Sequence, residues 1–108
     1  MFYALLLLAT PVDGSYVATV ATTAHLVQNC EQSTDDQIAS YCSGYIMAAF
    51  DVLSQARLIC PVYGVSTKQV LAVAKKYLKD HPESWDTAPG YLLRTAFVQA
   101  FPCAKISN

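Results

Sequence analysis

Along most of this chain apolar residues return every three or four positions, with no sustained alternation, which predicts helices and no sheet. The clearest stripe runs from about Asp36 to Arg57, where Ile38, Cys42, Tyr45, Ile46, Ala49, Leu53 and Ala56 share one face. Ser33, Thr34 or Asp35 can cap its start. Gly44 lies inside it, where glycine weakens a helix by about 1 kcal/mol, and is read as a point of close approach by a neighbouring helix.

A second helix is announced by Ser66-Thr67-Lys68-Gln69, a capping box with Val65 and Val70 as its hydrophobic staple. Val70, Leu71, Ala74 and Leu78 form its inner face, Lys68, Lys75, Lys76 and Lys79 its solvated one, and Pro82 stops it. Another helix is expected from near Thr87 to Phe101. Asp86 or Thr87 is its cap, Pro89 sits in the tolerant first turn, and Leu92, Leu93, Ala96, Phe97 and Ala100 point inward. A shorter helix from about Thr22 to Asn29 has weaker support, because threonine and valine are poor helix formers. The expected fold is therefore all-α, a small antiparallel bundle of about four helices.

Four cysteines, Cys30, Cys42, Cys60 and Cys103, lie too far apart for the paired spacing of a zinc site. They read as two disulfides in an oxidising compartment, with four reduced cytosolic thiols as the alternative. An up-down-up-down bundle favours one pairing. Cys30 and Cys42 fall at the pole where the first helix ends and the next begins, and Cys60 and Cys103 fall at the other. Cys30–Cys42 and Cys60–Cys103 are the expected bridges.

Upstream, Phe2 to Ala9 is an apolar run of signal-peptide length, too short to span a bilayer. Gly14, Ala18 and Ala21 offer cleavage points, so residues 1–21 are expected to be a signal peptide and 22–108 the mature helical domain. No Lys or Arg precedes Arg57, so the signal as written lacks a basic start.

Composition narrows function by exclusion. Apolar residues make up 54% and charged residues 14%, with a net charge of −1, so a core can form while no basic stripe exists for nucleic acid or anionic lipid. Only His25 and His81 are available to activate a thiol, and the cysteines already have a structural use. His81, before Pro82 at a helix end, suits hydrogen bonding to the final carbonyls. The four glycines are isolated, the carboxylates sit at caps and loops, and no metal motif occurs. No catalytic residue, metal or other cofactor is expected, which leaves binding. Tyr41 and Tyr45 read as the half-buried edge of the core. Trp85, in a polar loop among Glu83, Ser84 and Asp86, either folds back over the core or stands out as a hot spot.

Taken together, Tyr41-Cys42-Ser43-Gly44-Tyr45-Ile46 with Asp51, Cys60-Pro61, Gly64-Val65-Ser66 with Gln69, Lys76-Tyr77-Leu78 before His81-Pro82-Glu83, and Ala100-Phe101-Pro102-Cys103 form an ordered set. From about Leu26 to Cys103 the set strongly resembles the Rap/Tai family of immunity proteins of Gram-negative bacteria. The resemblance implies a periplasmic, disulfide-containing helical protein, often a homodimer, that binds and obstructs a peptidoglycan amidase toxin delivered by type VI secretion. Relatives often carry a histidine or basic residue where this chain has Trp85-Asp86. Partner contacts are expected at His81, Glu83, Trp85 and Asp86, with Tyr63 of the Pro61–Gly64 stretch as the other candidate surface. The competing expectation is a periplasmic binding or structural protein that holds a small apolar ligand.

Overall fold

The computed structural model describes residues 18–31 and 36–104, the side chains of 36–40 excepted. Among the described residues four helices follow in chain order: α1 (Thr23–Glu31), α2 (Asp36–Gln55), α3 (Thr67–Asp80) and α4 (Pro89–Ala100), with a 3-10 turn at Pro82–Ser84. No strand occurs among the described residues. The expected leader run Phe2–Ala9 and the expected caps Ser33, Thr34 and Asp35 lie outside them.

The core is made by one stripe from each helix: Leu26 and Val27, Cys42 and Ile46, Val70, Ala74 and Leu78, and Leu92, Leu93, Ala96 and Phe97. Ile59 and Phe101 plug the gaps beyond the ends of α2 and α4. Phe50 stands edge-on to Phe97 and to Phe101, with ring centroids 5.4 and 5.6 Å apart, which locks the lower half of α2 onto α4. Both expected disulfides are present, Cys30–Cys42 and Cys60–Cys103.

Helix α3 starts as its sequence dictates. Ser66 Oγ accepts the Gln69 backbone N–H at 3.1 Å, satisfying one of the free donors of the first turn. Val65, the expected staple residue, packs against the core cluster to which Val70 belongs.

Four expectations are corrected. Gly44 is exposed, and a Cβ added there would touch nothing, so no helix approaches it closely. Helix α2 stops at Gln55 because Arg57 turns left-handed, with φ 60°. The Leu58 N–H bonds the Leu53 carbonyl and the Arg57 N–H the Ser54 carbonyl, a Schellman closure that leaves Ala56 exposed outside the core. Helix α4 begins later than Thr87, with Ala88 as a cap lacking any side-chain bond and Pro89 as its first residue. Ala100 lies exposed beside an open α3–α4 groove instead of pointing inward.

Helix α1 is placed by its neighbours. Thr22 Oγ1 accepts the His25 N–H at 3.2 Å. The Thr23 and Ala24 N–H groups donate to the Thr87 and Trp85 carbonyls, 2.9 Å each. At about 13 Å long, α1 has its start bonded to the α3–α4 connection and its end stapled to the early turns of α2. Both features belong to one pole, so the disulfide pairing does not depend on which way this short helix runs.

Candidate interaction surfaces

At that pole, the connection from α3 to α4 is built inward. His81 stacks flat on Tyr77, centroids 3.9 Å apart, and its Nδ1–H donates to the Tyr77 carbonyl at 2.7 Å. Trp85 folds back against the core, and its Nε1–H donates to the Leu78 carbonyl at 2.8 Å. Two rings thus bond carbonyls of the last turn of α3, where the Leu78 carbonyl also accepts the His81 backbone N–H at 3.4 Å. His81 takes the end-of-helix role its position suggested, and Trp85 takes the fold-back alternative. Glu83 and Asp86 remain exposed. On the adjoining turn Asp80 pairs with Lys76 at 2.7 Å. That hydrogen bond holds the Asp80 carboxyl below its usual range and the Lys76 ammonium above its own.

The opposite pole carries the connection from α2 to α3. Ile59 is buried, Cys60 is tied to Cys103, and the Cys60 N–H donates to the Phe101 carbonyl at 2.9 Å. Beyond these anchors the chain turns outward through Val62 and Tyr63. Gly64, with φ 93°, supplies the left-handed position of the turn, and the Val65 N–H closes it on the Val62 carbonyl at 3.3 Å. Tyr63 is fully exposed, at 105% of its reference area, and Val62 at 74%. The structure therefore separates the expected contact residues, with Tyr63 at one end and His81, Glu83, Trp85 and Asp86 at the other.

A third surface was not anticipated. Between α2 and α4 an open groove of about 450 Å³ is lined by Tyr45, Ala48, Val52, Leu53, Leu58 and the single charge of Arg94, among others. Its signal in the sequence was the apolar character of α2 outside the core stripe, at Ala48 and Val52.

All four cysteines are in bridges, so neither histidine has a free thiol beside it. Among the described residues no group of His, Cys, Asp and Glu side chains could hold a metal ion, and no helix is long and apolar enough to cross a membrane.

The described residues thus form a helical bundle stapled by two disulfides, with an exposed turn at one pole and an inward-built connection at the other. The family comparison makes this specific: Rap1a immunity proteins match residues 22–103, and the chain belongs to that family. No individual curated protein matches it.

Proposed function

We propose that this protein protects its producing cell by binding a peptidoglycan amidase toxin in the periplasm and obstructing its active-site cleft. Membership of the Rap1a immunity proteins over residues 22–103 is the observation that carries the reading. The two bridges agree with an oxidising compartment. Residues 1–21 are proposed to direct export and to be removed, type VI secretion to deliver the toxin, and a homodimer to be the working form. Contact residues are proposed among Tyr63, His81, Glu83, Trp85 and Asp86, and no step calls for catalysis by this chain.

The test is expression of a peptidoglycan amidase effector, taken from the neighbouring reading frame where that frame encodes one, directed to the periplasm of a sensitive host, with and without the protein. Lysis relieved only when this protein is also exported supports the proposal. Equal lysis in both strains rejects it.

A second reading has one observation in its favour. The apolar α2–α4 groove has the volume for a small hydrophobic ligand. An environment-sensitive apolar dye should light up in that groove and be lost on Val52→Lys. A dye response indifferent to that substitution removes this reading.

A further inference from the structure

We propose that the α2–α4 groove is a binding site for a single-chain alkyl carboxylate, with the chain along α2 and the carboxylate on the Arg94 guanidinium. The proposal rests on the second reading above, a small apolar ligand in this groove, and adds the head group and the residue that selects it.

Helix α2 carries two apolar faces. One enters the core through Cys42 and Ile46. The other, Tyr45, Ala48 and Val52, recurs at intervals of three and four residues and so follows one line along the helix. That line makes a groove wall about 10 Å long, with Leu53 and Leu58 completing the apolar lining. Val52 is 64% exposed and Leu58 44%, so this surface stands open to water. Packed rings hold its Tyr45 end: Tyr45 lies 6.2 Å from Tyr41, which stands edge-on to His25 at 5.8 Å.

Size selects the kind of occupant. The groove volume of about 450 Å³ falls within the range of small-molecule sites, about 300–1,000 Å³. Eight residues line it, whereas a stable protein partner covers about 20–30 on each side. One alkyl chain fits these dimensions and a partner helix does not.

Charge selects the head group. Among the lining residues only Tyr45 and Arg94 have polar side-chain atoms, and both donate hydrogen bonds. No carboxylate in the lining competes for them. Asp51 borders a different crevice, with Met47 and Val65, and Asp86 lies in the connection before α4. Arg57, in the turn before Leu58, adds a second positive charge nearby. Arg94 is the one charged residue of α4, and the ion pair found among the described residues, Lys76 with Asp80, does not involve it. Its planar fork matches a carboxylate through two parallel N–H donors.

The test is an amide NMR titration, at neutral pH, of the protein purified from the periplasm of an expressing host. Octanoate, octanol and octyltrimethylammonium share a tail and differ in the head. Amides around Ala48, Val52 and Leu58 should shift and saturate. Octanoate should bind about 5-fold tighter than octanol, the size of a charge-assisted bond at an exposed arginine, and the cation weakest of the three. Decanoate should bind about 4-fold or more tighter than octanoate, since it buries two further methylenes in an open groove. Arg94→Gln should weaken octanoate by about 5-fold and leave octanol within about 2-fold. Ala48→Phe should fill the groove and abolish binding of both. Thermal melts confirm that each variant is folded, as expected of two exposed positions. Equal binding of octanoate and octanol to wild type overturns the inference and leaves the apolar-ligand reading standing. An octanoate preference that survives Arg94→Gln, or octanoate binding that survives Ala48→Phe, also overturns it. If none of the three amphiphiles binds, the apolar-ligand reading itself fails, and the two failures are told apart.

Discussion

Each bridge closes a loop whose length sets how far it restricts the unfolded chain. The Cys60–Cys103 separation of 43 residues corresponds to about 4 kcal/mol on the chain-entropy scale. The Cys30–Cys42 separation of 12 corresponds to about 3 kcal/mol. Packing narrows that gap. Cys42 is a core residue, 1% exposed, so replacing it with Ala removes a buried sulfur and adds about 1 kcal/mol. Cys60 is exposed and adds little. The double variants Cys30→Ala/Cys42→Ala and Cys60→Ala/Cys103→Ala should therefore each lose about 4 kcal/mol, despite unequal loops. Urea unfolding, followed by the fluorescence of Trp85, the one tryptophan, measures this directly. The slope against urea should steepen in both, because an unbridged chain exposes more surface. A loss below about 1 kcal/mol in either variant, or about 2 kcal/mol more in the Cys60/Cys103 pair, refutes the accounting.

Gly44→Ala should raise stability by about 0.5–1 kcal/mol, since the helix gains propensity and the methyl meets nothing; a drop in urea midpoint contradicts this. Gly64→Ala should cost about 1 kcal/mol because φ 93° is strained for any side chain, and an unchanged melting curve counts against the turn as described. Trp85→Phe keeps the packing but leaves the Leu78 carbonyl with only the His81 N–H at 3.4 Å, a loss of about 1 kcal/mol by thermal or chemical unfolding. Asp80 should titrate below an ordinary aspartate by NMR and return towards it in Lys76→Ala. Because its folded value is lowered, any stability from this pair is present above the unfolded aspartate value and fades as pH falls through the folded one.

The features legible in the sequence were those governed by local chemistry. Ser66 and Val65 mark the start of α3 because a cap and staple involve only residues within five positions of each other. The bridges were legible because pole positions constrain four cysteines strongly. His81 at a helix end needed only its own helix. Gly44 was misread because close approach and open solvent leave the same mark in a single sequence. The end of α2 was hidden because arginine is an uncommon residue at a left-handed closing position. The late start of α4 was hidden by Thr87, whose hydroxyl donates to Ser84 while its carbonyl accepts from Thr23, a partner 64 residues away. Of the five expected contact residues, the sequence put the Trp85 loop first and Tyr63 second, although both are aromatic residues in loops. Exposure separates them, and exposure follows from long-range packing.

The two bridges also divide the chain into rings. One closes 30 to 42 and the other 60 to 103, so a single backbone cut inside either releases no fragment. Only the stretch from Ser43 to Ile59 joins the rings, and it is helical down to Gln55. Its one basic residue is Arg57, exposed in the left-handed turn just past the helix. Against a trypsin-like protease, this is the single bond whose loss separates the stapled halves, and Arg57→Gly removes that cleavage point while suiting the turn.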